Sequence, residues 1–363
     1  MKILHIDCGK VFRGGQRQAL MLHKELIKRG IQSYFLCNPH GYLFKMDFEN
    51  KHALAFHNEL DLKSYLNLYK FLKIHKPDII QVHEAHGLGL AVFATLNYNI
   101  PIVSTRRVDF PIRKHFINKL KYKKSNIIKW VAISDAVKQS LINFGVHSDR
   151  IIKIYSASDV NNVKIEKSNL EKINLKYNLK NNFVVGSILS FVGHKDPFTL
   201  IKSFELLYKK YKKVKLLILG EGPYKEEVIE MVKTMESKDN IYILGFKDNI
   251  YEYLSLFHIF IITSRKEALC SSIIDALSME KPVVATRVGG IPEIIKDHYN
   301  GLLNESGDYE GLSKSLLKLI SNKEFYSFIS KNAYESSHEL RGDVMANKYI
   351  NLYSEILHEE RKS

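Results

Sequence analysis

The sequence predicts an α/β protein built from two doubly wound parallel sheets, and three observations lead there. Short apolar runs alternate with segments of helical period from the first residues onward, the pattern of strand–helix units that wrap a parallel sheet on both faces. That rhythm stops in the polar stretch Ser156 to Asn182, rich in Asn, Lys and Ser, and restarts at Phe183. The 363 residues are too many for one ordinary core and ample for two.

The elements follow in order. Lys2 to Ile6 reads as a short buried strand that runs directly into Gly9, Gly14 and Gly15. Gln18 to Arg29 places Ala19, Leu20, Leu22, Leu26 and Ile27 at helical spacing and stops at Gly30. Ser33 to Cys37 is a strand, Tyr65 to His75 a helix ended by Pro77, and Ile79 to His83 a strand. Ile102 to Thr105 and Trp130 to Ile133 are further strands, the latter entering a helix at Ser134 or Asp135. After a linker and a short helix come the strand Phe183 to Leu189, the helix Pro197 to Tyr211 and the strand Lys215 to Leu219. Strands are then predicted at Asn240 to Leu244, Ile259 to Thr263 and Pro282 to Ala285, with helices at Ile250 to Leu256 and Ser271 to Met279. Tyr309 to Ile320, Lys323 to Glu339 and the amphipathic Val344 to Glu360 close the chain as helices.

Composition narrows the class. Hydrophobic content of 45% and charged content of 26% are ordinary for a soluble protein. Met1 to Asp7 meets a charge too early for an export signal, and no run reaches the roughly 18 apolar residues of a membrane span. Cys8, Cys37 and Cys270 are too scattered for a disulfide framework or a zinc site, so a reducing cytoplasm is expected. Lys and Arg exceed Asp and Glu by 14 through Lys164, out of a net +15. A basic first half implies an anionic partner, or else Lys used for solubility.

Four loops carry candidate chemistry. Gly9 to Gln18 (GKVFRGGQRQ) opens a helix straight after the first strand, so backbone N–H groups can face a phosphate or simply make a tight turn. It holds neither the GxGxxG nor the GxxxxGK[ST] fingerprint. Val82 to Gly89 puts His83, Glu84 and His86 behind a buried strand, for substrate contact, helix capping or, with no further ligand to join them, metal binding. His194-Lys195-Asp196-Pro197 offers Asp196 as N-cap, Pro197 in the first turn, and Lys195 beside the positive helix end. Ser264 to Glu293 is the richest. Ser271 and Ser272 are expected to bind the donor by capping a helix whose N–H groups face an anion, and Glu267 and Asp275 to lie at different depths of one pocket, where carboxylates accept bonds from sugar or ribose hydroxyls. Gly289 and Gly290 then permit a close backbone approach.

Taken together, the string SRKEALCSSIIDALSMEKPVVATRVGGIPEII, preceded in order by GGQRQ, SDAV, GHKDP and LGEGP, resembles glycosyltransferase family 4. The resemblance covers nearly the whole chain. It implies the GT-B fold, two Rossmann-like doubly wound parallel-sheet domains facing a cleft. Residues 1–165 would form an acceptor-binding domain and 166–340 a nucleotide-sugar donor domain, with 341–363 a helix crossing back to the first. It further implies a catalytic Glu267 on the donor sugar's hydroxyls and a catalytic His83 near the reacting centre. Asp275 would hold the ribose, Lys195 the diphosphate, and Gly15 would approach the transferred group through its backbone. Gly245, Phe246 and Lys247 would bed the base. Asp275 is shorter than the family's second glutamate, Ala268 and Cys270 replace common glycines, and Ser187 stands where an arginine is frequent.

The expected reaction is retaining transfer without cofactor or metal from a nucleotide-sugar donor to a glycan or lipid-linked acceptor. The family's frequent work on lipopolysaccharide, capsule and other surface glycans suggests that setting. Arg106, Arg107, Arg113 and Lys114 open a segment reaching Trp130 in which basic residues alternate with Phe110, Phe116 and Tyr122. That composition suits an anionic acceptor or the inner face of the cytoplasmic membrane, or alternatively a solvated helix face. The competing readings are a nucleotide-sugar epimerase or a phosphorylase of the same fold, and a non-catalytic glycan-binding copy. Nucleic acid is not an expected partner, since no recognition motif accompanies the charge.

Overall fold

The computed structural model describes residues 1–56, 61–95, 98–112, 122 and 127–361. The chain divides into two compact units. The first combines Met1–Ala157 with Arg341–Ser363, and the second is the continuous stretch Ser158–Leu340. The change of unit thus falls within the polar stretch, before residue 165.

Among the described residues, seven strands form the first sheet in the order β3 (Lys51–Ala53), β2 (Gln32–Cys37), β1 (Lys2–Asp7), β4 (Ile79–Val82), β5 (Ile102–Arg106), β6 (Ile127–Ala132) and β7 (Ile151–Lys153). All its pairs are parallel, with Ile3 against Ser33 on one side of β1 and Ile79 on the other. The second sheet, also parallel, orders β10 (Ile241–Ile243), β9 (Val214–Leu219), β8 (Phe183–Ile188), β11 (Ile259–Ile262), β12 (Val283–Thr286) and β13 (Gly301–Asn304). In each sheet the strand order reverses at the first strand, between β1 and β4 and between β8 and β11. Ligands of open α/β sheets bind at such points, outside the carboxyl ends of the strands.

β3, β7 and β13 are strands that periodicity did not announce, because three or four residues at a sheet edge carry no readable alternation. β6 starts at Ile127 rather than Trp130, its alternation masked by Lys129. The helix Ala85–Ala94, offered by the sequence only as one that Glu84 or its neighbours would cap, has no readable period because seven of its ten residues are buried, which leaves no polar face. Lys225–Lys233 is a short charged helix with no counterpart among the elements the sequence predicts.

The last helix, Gly342–Glu360, belongs to the first unit. Its Met345, Tyr349, Leu352, Tyr353 and Ile356 share one buried cluster with Ile3, Leu22, Leu26, Ile79, Val103 and Val131. Burying five such side chains contributes roughly 1.5–3 kcal/mol each before entropy is subtracted, so the first sheet depends on a segment that follows the second in sequence. Among the described residues no helix is long and apolar enough to cross a membrane.

Candidate active site

In the second unit the loops after β8 and β11 are bonded to each other. Asp196 caps the helix Pro197–Lys210, as its sequence position predicts, accepting from the Thr199 amide at 3.2 Å. Its second oxygen accepts from Thr199 Oγ1 at 2.9 Å and from Arg265 Nε at 2.8 Å. The Arg265 amide donates to the His194 carbonyl at 2.8 Å, and Thr263 Oγ1 to the Asp196 carbonyl at 2.8 Å. These bonds fix the two loops in register, and Lys195 Nζ consequently meets Glu267 Oε2 as an ion pair. Glu267 Oε2 also accepts from Ser264 Oγ at 3.1 Å. The Lys195 side chain is 19% exposed and that of Glu267 10%, so both are held yet reachable.

Glu267 is also fixed from beneath. Gly289 has a left-handed φ of +53°, and a Cβ on it would fall 1.7 Å from the Glu267 carbonyl oxygen. The Gly290 amide donates to that same oxygen at 3.1 Å. The close approach that the glycine pair permits is therefore made to the backbone of Glu267.

Ser271 and Ser272 do not cap the helix Ser271–Ser278. Cys270 holds the N-cap position in a left-handed conformation (φ 68°), so both serines fall in the first turn. Ser272 Oγ instead lies 3.3 Å from Cys270 Sγ and 3.4 Å from the Ile188 carbonyl. Burial, with Glu267 nearby, pushes the Cys270 thiol up to about 11. Asp275 is fully enclosed, its Oδ1 accepting from Ser158 Oγ at 2.8 Å and from Tyr251 OH at 3.4 Å. Ser187 is likewise buried and donates to the Ile261 carbonyl at 2.7 Å. Gly245 accepts the Gly220 amide at 2.9 Å, while Phe246 is 52% exposed and Lys247 half-buried.

In the first unit the corresponding ends are Asp7 of β1 and His83, just past β4. Asp7 is fully buried and accepts from the Gly9 amide at 2.9 Å and Gln16 Nε2 at 3.1 Å. Burial and the neighbouring Glu84 push its carboxyl up to about 6. Gly15 sits in the first turn of the helix Gly14–Lys28, and a Cβ there would lie 3.4 Å from Arg107 Cδ. His83 is 4% exposed, with Nε2 2.8 Å from His5 Nδ1 and Nδ1 3.3 Å from Arg107 Nη2. Burial, His5 and Arg107 together hold its pKa well below the ordinary imidazole value. Glu84 caps the helix Ala85–Ala94 by accepting from the His86 and Gly87 amides, and His86 is exposed. Among the described residues no three His, Cys, Asp or Glu side chains gather as metal ligands.

Of the basic segment, residues 106–112, 122 and 127–130 are described. Arg106 donates to the Phe110 carbonyl and to Tyr122 OH, and Arg107 turns to His83. Tyr122 and Trp130 are buried, stacked 4.5 Å apart. Arg113, Lys114 and Phe116 lie outside the described residues. Sequence reasoning overlooked His5 and Asp7, although two polar residues inside the apolar run of β1 were the available signal.

Residues 12–162 match the family described as Glycosyltransferase Family 4, and residues 169–336 match Glycosyl transferases group 1. Among curated relatives, N-acetyl-alpha-D-glucosaminyl L-malate synthase of Bacillus anthracis is 26% identical over 63% of this chain and 65% of its own length. The capsular polysaccharide biosynthesis glycosyltransferase CapM of Staphylococcus aureus is 24% identical over 85% of each chain. Of solved structures, Anabaena HepE in complex with UDP superposes with a TM-score of 0.85 at 19% identity, over 98% of this chain and 100% of that one. A glycosyltransferase from Rickettsia africae gives 0.85 at 22% identity, over 98% of both. With both halves matched in order and the two-sheet fold shared, the chain belongs to the family 4, group 1 glycosyltransferases and is an enzyme of that class.

Proposed function

We propose that this enzyme transfers a sugar, with retention of configuration and without a metal ion, from a nucleotide-sugar donor to a glycan or lipid-linked acceptor in surface-glycan synthesis. The observation that carries the proposal is the Lys195–Glu267 pair at the carboxyl ends of β8 and β11, braced through Gly289 and Gly290. A cation and a hydrogen-bond-accepting carboxylate at that point fit a diphosphate and the hydroxyls of the sugar attached to it. The helix start at Pro197 adds its N-terminal field to Lys195. Neighbours of the same fold were solved with UDP and with UDP-glucose, which supports a uridine diphosphate donor. Relatives named for capsule, lipopolysaccharide core and poly(ribitol-phosphate) glycosylation support the acceptor class.

In the proposed reaction the acceptor oxygen forms a bond to the anomeric carbon on the face from which the diphosphate leaves. The anomeric carbon–phosphate oxygen bond breaks, and the leaving phosphate takes the acceptor proton. Lys195 meets the developing charge and Glu267 orients the sugar; Asp275, given the ribose by the family resemblance, is enclosed by Ser158 and Tyr251 and acts on it only indirectly. His83, assigned to the reacting centre by the family resemblance, is a neutral group, since the donor-only Arg107 occupies its Nδ1 and leaves that nitrogen without a proton. The basic excess of the first half favours an anionic acceptor or membrane surface, which flotation with anionic and neutral liposomes tests.

The decisive experiment is a thermal-shift series with UDP-, GDP- and ADP-sugars, followed by transfer assays with and without chelator. A donor at a hundred times its Kd adds about 2.7 kcal/mol to stability. Stabilisation by a UDP-sugar and chelator-resistant transfer that Glu267→Ala abolishes are expected. Transfer undiminished in Glu267→Ala would overturn the assignment.

A further inference from the structure

A line of buried polar groups crosses the first unit from the last helix to β1. Tyr353 OH donates to Gln81 Oε1 at 2.9 Å, Gln81 Nε2 donates to Thr105 Oγ1 at 2.9 Å, and Thr105 Oγ1 lies 2.9 Å from Tyr349 OH. Tyr349 lies beside Arg107, and Arg107 Nη2 reaches His83 Nδ1 at 3.3 Å. His83 Nε2 then meets His5 Nδ1 at 2.8 Å. Both tyrosines are on the helix Gly342–Glu360 and are essentially unexposed.

We propose that Arg107 is a positioning residue for His83, seated by Tyr349 of the last helix, and that it fixes His83 in one tautomer with the proton on Nε2. This rests on the reading that His83 borders the transfer centre. The chemistry leaves little freedom. A guanidinium only donates, so His83 Nδ1 must be the acceptor of the Arg107 bond. If His5 donated as well, His83 would accept at both nitrogens and carry no proton on either, which a neutral imidazole cannot do. His83 therefore donates through Nε2 to His5 Nδ1, and His5 carries its own proton on Nε2. That nitrogen has no hydrogen-bond partner among the described residues, and the His5 ring meets His23 edge to face at 5.6 Å. Without Arg107 the His5–His83 bond could point either way. The same guanidinium sits against His83 as a positive charge and so opposes a second proton there. Its alkyl stem packs at Gly15, so one side chain spans both first-unit residues assigned to the reacting centre.

The titratable groups that act on His83 are His5 of β1, His23 of the first helix and Arg107 after β5. Tyr349 and Tyr353 lie behind Arg107. None but Arg107 is a permanent donor to Nδ1, which is why the tautomer is assigned to it.

The test is a long-range proton–nitrogen correlation spectrum of the full chain labelled with ¹⁵N-histidine, together with transfer kinetics. The wild-type His83 is expected as the pure Nε2–H form. In Arg107→Met, which keeps the apolar stem, a mixture of tautomers should appear. Its kcat should fall roughly ten- to hundredfold, the scale of a small misplacement, while donor KM changes little. Tyr349→Phe should shift both readouts in the same direction and to a smaller extent. An Nδ1–H tautomer in the wild type overturns the proposal even if the Arg107 variant does not fold. So does an Arg107→Met enzyme with unaltered spectrum and kcat. Undiminished transfer by His83→Ala, with the wild-type tautomer as stated, would overturn the placement of His83 at the centre and not the Arg107 assignment.

Discussion

Lys195 and Glu267 are 72 residues apart in sequence and form an ion pair from loops behind two adjacent parallel strands. The pair exists because Asp196 ties its loop to Arg265, one residue on from Lys195 and two before Glu267. Two functional side chains are thus set by a bond between their chain neighbours.

That arrangement predicts separable kinetic effects. Lys195→Ala should weaken donor binding, raising donor KM by roughly 10- to 150-fold for a lost charged hydrogen bond worth about 1.5–3 kcal/mol. Glu267→Gln should act mainly on kcat. Arg265→Ala should do neither directly, but loosen the loop and lower kcat modestly. Steady-state kinetics on the three variants, with donor titrations by calorimetry, separate these outcomes.

The brace beneath Glu267 gives a comparison between two glycines. Gly289 and Gly307 both have positive φ, but a Cβ on Gly307 would meet nothing within 4 Å, whereas one on Gly289 would overlap the Glu267 carbonyl. Gly307→Ala should cost only the left-handed strain, about 1–2 kcal/mol. Gly289→Ala should cost more and reduce transfer as well. Urea unfolding and activity measured on both variants check the difference.

Asp7 predicts a pH dependence of stability. Its carboxyl is raised from 3.8 to about 6 in the folded chain. A proton held more tightly when folded favours the native state at low pH. The contribution is complete below pH 3.8 and is lost as pH rises through about 6. Asp7→Asn should therefore remove a stability loss on the order of 3 kcal/mol between pH 4 and 7, at 1.36 kcal/mol per unit. Parallel unfolding curves of wild type and variant across that range isolate it from other titrating groups.

The enclosure of Asp275 predicts that the longer glutamate would not fit without adjustment. Asp275→Glu adds a methylene to a site that is 0% exposed, at a cost of about 1–3 kcal/mol. Ser158→Ala leaves Asp275 Oδ1 with one fewer donor and should cost about 1–3 kcal/mol. In Ser158→Ala, Asp275→Glu should be better tolerated than in the wild type, which a double-mutant cycle by chemical unfolding measures.

The cysteines should be inert in the native enzyme. Cys8, Cys37 and Cys270 are free and buried, and burial raises the Cys37 thiol to about 12 and that of Cys270 to about 11. The thiolate is the reactive form. A disulfide reagent should titrate three thiols in denaturant and react slowly without it.

Much of this was legible in the sequence, for physical reasons that can be named. Central parallel strands are apolar throughout, so β1, β4, β8, β9 and β11 stand out, and Pro197 and Asp196 announce a helix start. Edge strands of three or four residues and the buried helix Ala85–Ala94 have no period to read. The loop Ser264 to Glu293 drew attention through its carboxylates and glycines, yet sequence cannot say that the glycines serve Glu267 or that Cys270 takes the cap. Nor can it say that Arg107, read as a surface cation, turns inward. Those are matters of side-chain direction, which spacing along a loop does not encode.

The interrupted first unit has a consequence for how the chain is made. Residues 158–340 are contiguous and complete in themselves, so the second sheet can close as it leaves the ribosome. The first cannot. Its apolar surface around Ile3, Leu22, Leu26 and Val131 awaits the helix that carries Tyr349 and Tyr353, and for a span of roughly 10–40 s at ordinary elongation rates it stays uncovered. Of the two units, the one whose synthesis begins earlier is the one completed later.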